Sequence, residues 1–207
     1  MKKTILVLGN YEDAMYHPLK GVDERLVSIF SDFNVICTED TRKLLELDKK
    51  KYYGVISYLD IWDSELDEEE AGALYHYVSN GGALLILHNG ISIQNREELK
   101  SMMGGSFVTH PPMTNLEFVV KPHAITEDCA GFIMPEEPYQ LEMVEDNKEI
   151  FLTYIYKGEE YVAGWSKCVD KGRIVFLVPG HTEKQFENEE YVKLIRNSMH
   201  WCGINNS

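Results

Sequence analysis

Five of the seven histidines in this chain, His17, His88, His110, His123 and His181, stand in stretches that read as loops, close to a proline or a glycine. Imidazole is the side chain whose ordinary pKa lies nearest neutrality, so histidines gathered in loops suit proton transfer or metal ligation. Two of them end apolar runs. Ala83-Leu84-Leu85-Ile86-Leu87 delivers His88-Asn89-Gly90, and Ile174-Val175-Phe176-Leu177-Val178 delivers Pro179-Gly180-His181. Apolar runs without polar alternation suit strands covered on both faces, as in a parallel sheet. The carboxyl ends of such strands lie along one edge, where α/β folds bind ligands. His88 and His181 are therefore expected on one edge, and Gly90 is expected to take a positive φ at the turn. His76 and His200 fall inside helical stretches and read as packing or surface residues.

Other strand ends carry polar residues as well. The run at 4–8 opens through Gly9-Asn10 into Tyr11-Glu12-Asp13-Ala14-Met15-Tyr16-His17-Pro18, and the run at 53–59 ends at Asp60-Ile61-Trp62. A single glycine followed by two acids lacks the G-x-G-x-x-G pattern and would repel a phosphate. Glu12 and Asp13 argue instead for hydroxyls, a cation or a positively charged group. His17, His88 and His181 are expected to share a pocket with Glu12 and Asp60. A zinc-type site could draw on His17, His88, His110 and His181 with Glu12 or Asp60. None of these has H-x-x-x-H or H-E-x-x-H spacing, so a divalent metal is not the favoured reading and the cofactor stays unassigned.

Elements that could position these residues follow from the periodicity. Residues 19–31 have helical spacing, 33–37 form a short strand, and 38–49 read as a second helix with Leu44, Leu45 and Leu47 inward. A helix at 68–79 carries acids in its first turn, where they favour the dipole, and stops at Asn80-Gly81-Gly82. A short helix at 94–103 follows the His88 turn. Residues 106–121 suit an antiparallel pair or extension, 125–132 a loop or single helical turn, 150–156 and 161–165 a hairpin, and 192–202 a closing helix. The 207 residues, 44% hydrophobic, are expected to form one domain over 1–207. A net charge of -14 argues against nucleic acid and anionic membrane as partners. Four scattered cysteines without C-x-x-C, with no signal peptide or apolar run of membrane-spanning length, suggest a cytoplasmic protein.

The series Tyr16-His17-Pro18, Gly81-Gly82 into Leu87-His88-Asn89-Gly90, Gly104-Gly105-Ser106-Phe107 into His110-Pro111, His123-Ala124-Ile125-Thr126 with Pro138-Tyr139, and Gly172-Arg173-Ile174-Val175 into Gly180-His181 resembles the ThuA-like (trehalose utilisation) family. The resemblance implies the class I glutamine amidotransferase-like fold: a flavodoxin-like α/β three-layer sandwich with a central, mainly parallel sheet, here with an added antiparallel ribbon. Amidotransferases of that fold carry a Cys-x-Gly elbow and a later His-x-Glu. The matching stretches here are His88-Asn89-Gly90 and His181-Thr182-Glu183, so the nucleophilic thiol is missing and glutaminase activity is not expected. The family also implies a carbohydrate or oxidised (keto) sugar met in disaccharide catabolism. On that reading His88 and His181 serve as general acid and base with Glu183 orienting His181. Tyr11, Glu12, His17, Asp60, Asn89 and His110 bind the ligand, and Trp62 or Tyr139 stacks on a sugar face. The alternative is a non-catalytic module that binds a ligand or partner on an amidotransferase-like fold. Whether the chain forms a homo-oligomer is left open.

Overall fold

In the computed structural model, which describes residues 3–12, 14, 16–144 and 147–203, the chain runs β1 (Thr4–Gly9), α1 (Val22–Ile29), β2 (Asn34–Thr38), β3 (Tyr52–Tyr58), α2 (Glu68–Ser79), β4 (Ala83–Leu87), α3 (Glu97–Met103), β5 (Gly105–Thr109), β6 (Thr114–Val120), β7 (Phe132–Glu136), β8 (Gln140–Met143), β9 (Glu149–Tyr156), β10 (Glu159–Val169), β11 (Gly172–Leu177) and α4 (Glu189–Gly203). Nine strands form one sheet in the order β2-β1-β3-β4-β11-β10-β9-β6-β7. The half from β2 to β11 is parallel and the half from β11 to β7 is antiparallel. A separate β5-β8 ribbon is antiparallel. The architecture is the flavodoxin-like sandwich expected from the sequence, with antiparallel additions.

Every residue of β1 and β4 is buried, as unalternated apolar runs require when helices cover both faces. Asp67 and Glu70 form a capping box at the start of α2, and Gly81, at φ 105, turns the chain into β4. Arg196 of α4 donates to the Ile29 carbonyl at 3.1 Å, tying α4 to α1. The parallel strands therefore arrive side by side, and the loops after β1, β3, β4 and β11 emerge on one edge.

Four local expectations differ from what is observed. Residues 38–49 hold one short 3-10 helix, Thr41–Glu46. Leu44 is fully buried but Leu45 is 41% exposed, so the leucines do not make the stripe an α-helix would need. The helix expected over 94–103 is shorter, α3 beginning at Glu97, and is preceded by a 3-10 segment, His88–Asn95. Strands β5 and β6 pair with β8 and with β7 and β9, not with each other. Strand β7, Phe132–Glu136, forms where the sequence predicts no strand. It carries Pro135, which an edge strand tolerates where a central one would not. The β9-β10 hairpin is as expected and turns through Lys157 and Gly158, both at positive φ.

Candidate functional site

At the carboxyl edge of the parallel half, His17, His88, His181 and Glu137 each aim one ligand-type atom at a common point, all four atoms lying within 4.8 Å of one another. His88 Nε2 is 3.3 Å from Glu137 Oε2, His181 Nδ1 is 3.4 Å from the same oxygen, and the two nitrogens are 3.3 Å apart. His17 Nε2 is 3.9 Å from Glu137 Oε2. Four ligands about 2.0–2.1 Å from a tetrahedral centre are about 3.3 Å from each other, so three of these atoms already make one face of such a tetrahedron. His17 Nε2 and Glu137 Oε2 are buried and have no hydrogen-bond partner. Buried polar atoms are rarely left so unless something else satisfies them.

Two of the three remaining ring nitrogens are held as a metal site requires. Asp60 Oδ2 lies 3.1 Å from His17 Nδ1, and His88 Nδ1 donates to the Val178 carbonyl at 2.6 Å. When each ring is neutral, these contacts place its proton on Nδ1 and leave Nε2 as the ligating nitrogen. Burial lowers the His17 pKa, but Asp60 and Glu137 outweigh it and hold the imidazole above its ordinary value. Burial also pushes His88 down, against Glu136 and Glu137. For Glu137 burial works upward, yet the three imidazoles hold the carboxyl far below the usual carboxylate range. The cluster is a carboxylate inside a histidine cage, the arrangement that favours a cation.

Backbone strain marks the same place. His88 itself stands at φ 48, a left-handed conformation uncommon for a residue with a Cβ. The glycine of the elbow, expected to supply that conformation, serves another purpose. A Cβ on Gly90 would lie 2.0 Å from the Ser57 carbonyl oxygen, so Gly90 allows two backbones to touch.

Over the cluster opens a cavity of about 450 Å³ lined by Tyr16, His17, Trp62, Phe107, His110, Glu137 and Tyr139. Among the expected site residues, the structure brings together His17, His88 and His181, places Asp60 behind His17, and sets Trp62, His110 and Tyr139 in the cavity wall. Others lie elsewhere. Glu12 is exposed, its amide directed to Glu39, and Tyr11 donates to Asp23 at 2.7 Å, so this loop is drawn toward α1. Asp13 lies outside the described residues. Asn89 is fully buried and donates to the Tyr58 carbonyl. Glu183 packs against Gly21, away from the cluster that His181 joins. His123 caps a short 3-10 turn, accepting from the Ile125 amide, and so points an N–H at Ser166, the wrong polarity for a nucleophile's base. Glu137 was not singled out from the sequence. Its signal was two acids between prolines, Pro135-Glu136-Glu137-Pro138, in an otherwise apolar segment.

The pattern that defines the ThuA family, described as trehalose utilisation, matches residues 15–202. The chain belongs to the ThuA family. Solved relatives agree in fold. A ThuA-like protein from Parabacteroides merdae superposes with a TM-score of 0.78 at 16% identity, over 98% of this chain and 90% of that one. One from Bacteroides uniformis gives 0.74 at 19%, over 97% and 91%, and a cytoplasmic protein from Salmonella typhimurium LT2 gives 0.67 at 14%, over 96% and 99%. No protein of curated function matches the sequence. In this ThuA chain the elbow position is His88, and the loop cysteine, Cys129, is bonded to Asn197 with its thiol pKa raised by burial. Incubation with glutamine is expected to release no ammonia above a protein-free control. Release abolished by Cys129→Ser would overturn this assignment.

Proposed function

We propose that this ThuA-family chain is a divalent-metal enzyme acting on an uncharged or oxidised (keto) sugar ring. The supporting observation is the pair of orphaned buried atoms, His17 Nε2 and Glu137 Oε2, which meet His88 Nε2 and His181 Nδ1 around one point. Imidazole with carboxylate suits zinc and its first-row neighbours. When bound, such an ion would polarise a substrate oxygen or acidify a water. The protein's own residues supply the rest. Trp62, Phe107 and Tyr139 offer apolar faces to a ring, and no lysine or arginine lines the cavity to attract a phosphate or carboxylate. His110 stands in the wall with Nδ1 3.6 Å from Glu137 Oε1, where it can pass a proton to or from the ligand. With His88 and His181 engaged as ligands, His110 takes the acid–base role. The net charge of -14 argues against nucleic acid and anionic membrane as partners, and among the described residues no helix is long and apolar enough to cross a membrane. The unpaired cysteines, with Cys168 exposed, accord with a cytoplasmic location.

The test is turnover by metal-loaded protein of a panel of sugars and keto-sugars, followed by NMR. His110→Ala is expected to lower kcat by about 10²–10⁴-fold while leaving metal content unchanged. A second reading, a non-catalytic ligand-binding module, is favoured by the absence of a thiol at the elbow. Sugars that shift the melting temperature with no product formed by any of the panel would make it the better one.

A further inference from the structure

Glu136, the last residue of β7, is fully buried. Its Oε2 accepts from the Gly180 amide at 2.7 Å and the His181 amide at 3.3 Å, and its Oε1 accepts from the Glu137 amide at 2.8 Å. Oε1 also lies 3.7 Å from His88 Nδ1. One carboxylate thus touches three of the four residues around the common point: the backbones of Glu137 and His181 and the ring of His88. In the sheet, β7 is separated from β11 by β10, β9 and β6, yet here it meets the loop that follows β11. The rest of that loop is equally held. Tyr191 donates to the Pro179 carbonyl at 2.5 Å, Tyr58 to the Gly180 carbonyl at 2.7 Å, and Gln185 to the Pro135 carbonyl at 2.8 Å.

Resting on the metal reading above, we infer that Glu136 is a positioning residue, which fixes His181 and Glu137 against each other at ligand spacing and supplies the second negative charge of the site. Three converging N–H donors call for an acceptor with several lone pairs and no proton of its own, which a carboxylate is and an amide is not. Charge gives a second reason. A divalent cation with three neutral imidazoles and one carboxylate retains one positive charge, and buried charge needs a partner. Glu136 is that partner, one residue behind the ligand. Groups that orient metal ligands in this way typically change affinity by about 10–100-fold when altered.

The experiment compares Glu136→Gln with the wild-type chain in two measurements. In zinc titrations against a chromophoric chelator, the variant is expected to bind about 10–100-fold more weakly. In amide hydrogen exchange on metal-free protein, Glu137, Gly180 and His181 are expected to exchange at least about tenfold faster while β1 and β4 keep their protection. A residue that only stabilises the fold would lower protection everywhere and leave zinc affinity of the folded protein unchanged, which overturns the proposal. If wild-type protein takes up no zinc, the metal reading fails, while faster exchange confined to those three amides still supports the positioning role and unchanged exchange removes it. Should Glu136→Gln not fold, Glu136→Asp, which keeps the charge but retracts it by one methylene, carries the same comparison.

Discussion

Metal-free protein titrated with Zn²⁺ is expected to take up one equivalent and to melt higher by about 8–16 °C at a thousandfold excess over Kd. The magnitude follows from linkage. A ligand that binds only the folded state adds about 4 kcal/mol at that excess, and in a chain of this size each kcal/mol moves Tm by about 2–4 °C. Glu137→Ala and His17→Ala should each abolish the shift, since each removes one of the four converging atoms. The uptake also depends on pH, and its sign can be worked out. The His17 imidazole is held above its ordinary value, and a protonated ring cannot ligate, so zinc must displace a proton below that raised value. Affinity should therefore be full on the alkaline side and weaken as pH falls through it. Stoichiometry well below one after loading, with Tm unmoved, would remove the metal from this site.

The second large effect is expected from a single methyl group. Gly90→Ala would place a Cβ 2.0 Å from the Ser57 carbonyl oxygen, which is backbone and cannot swing aside as a side chain would. The end of β3 and the turn after β4 must part, and we expect a loss of about 3 kcal/mol, the upper end of overpacking. That corresponds to about 6–12 °C in Tm. Because His88 lies two residues earlier at φ 48, the displacement should weaken zinc binding as well. Gly72→Ala is the control. It lies within α2 with nothing within 4 Å of the added carbon, and should stabilise by about 0.5–1 kcal/mol through helix propensity. Equal behaviour of the two variants, read by thermal melts, would show that the turn tolerates the methyl.

What could be read from the sequence, and what could not, divides along a physical line. β1, β4 and β11 were legible because burial on both faces leaves no polar alternation, and their ends pointed to His88 and His181. Leu44-Leu45-Leu47 misled because spacing alone does not say that Leu45 faces solvent. Strand β7 hid behind Pro135, which ordinarily argues against a strand. Glu136 and Glu137 therefore drew no assignment, although the antiparallel half folds them back over the parallel edge. Glu183 looked suitable as the partner of a histidine two residues away. Which of the two turns inward is decided by the backbone path of the loop after β11, which sends Glu183 against Gly21, and a residue pattern does not carry that path.

The contacts that assemble the histidine cage bridge long stretches of chain: 43 residues from His17 to Asp60, 44 from Gly180 to Glu136, 90 from His88 to Val178 and 93 from His181 to His88. Each closure must be made against chain entropy before its bond rewards it. The cage is therefore among the last things to form, once β11 has docked beside β4 and the antiparallel half has folded back. No fragment ending before residue 181 can hold all four groups. During refolding, the appearance of the cage reports completion of the whole domain, and its early disappearance under denaturant would mark where the domain first comes apart.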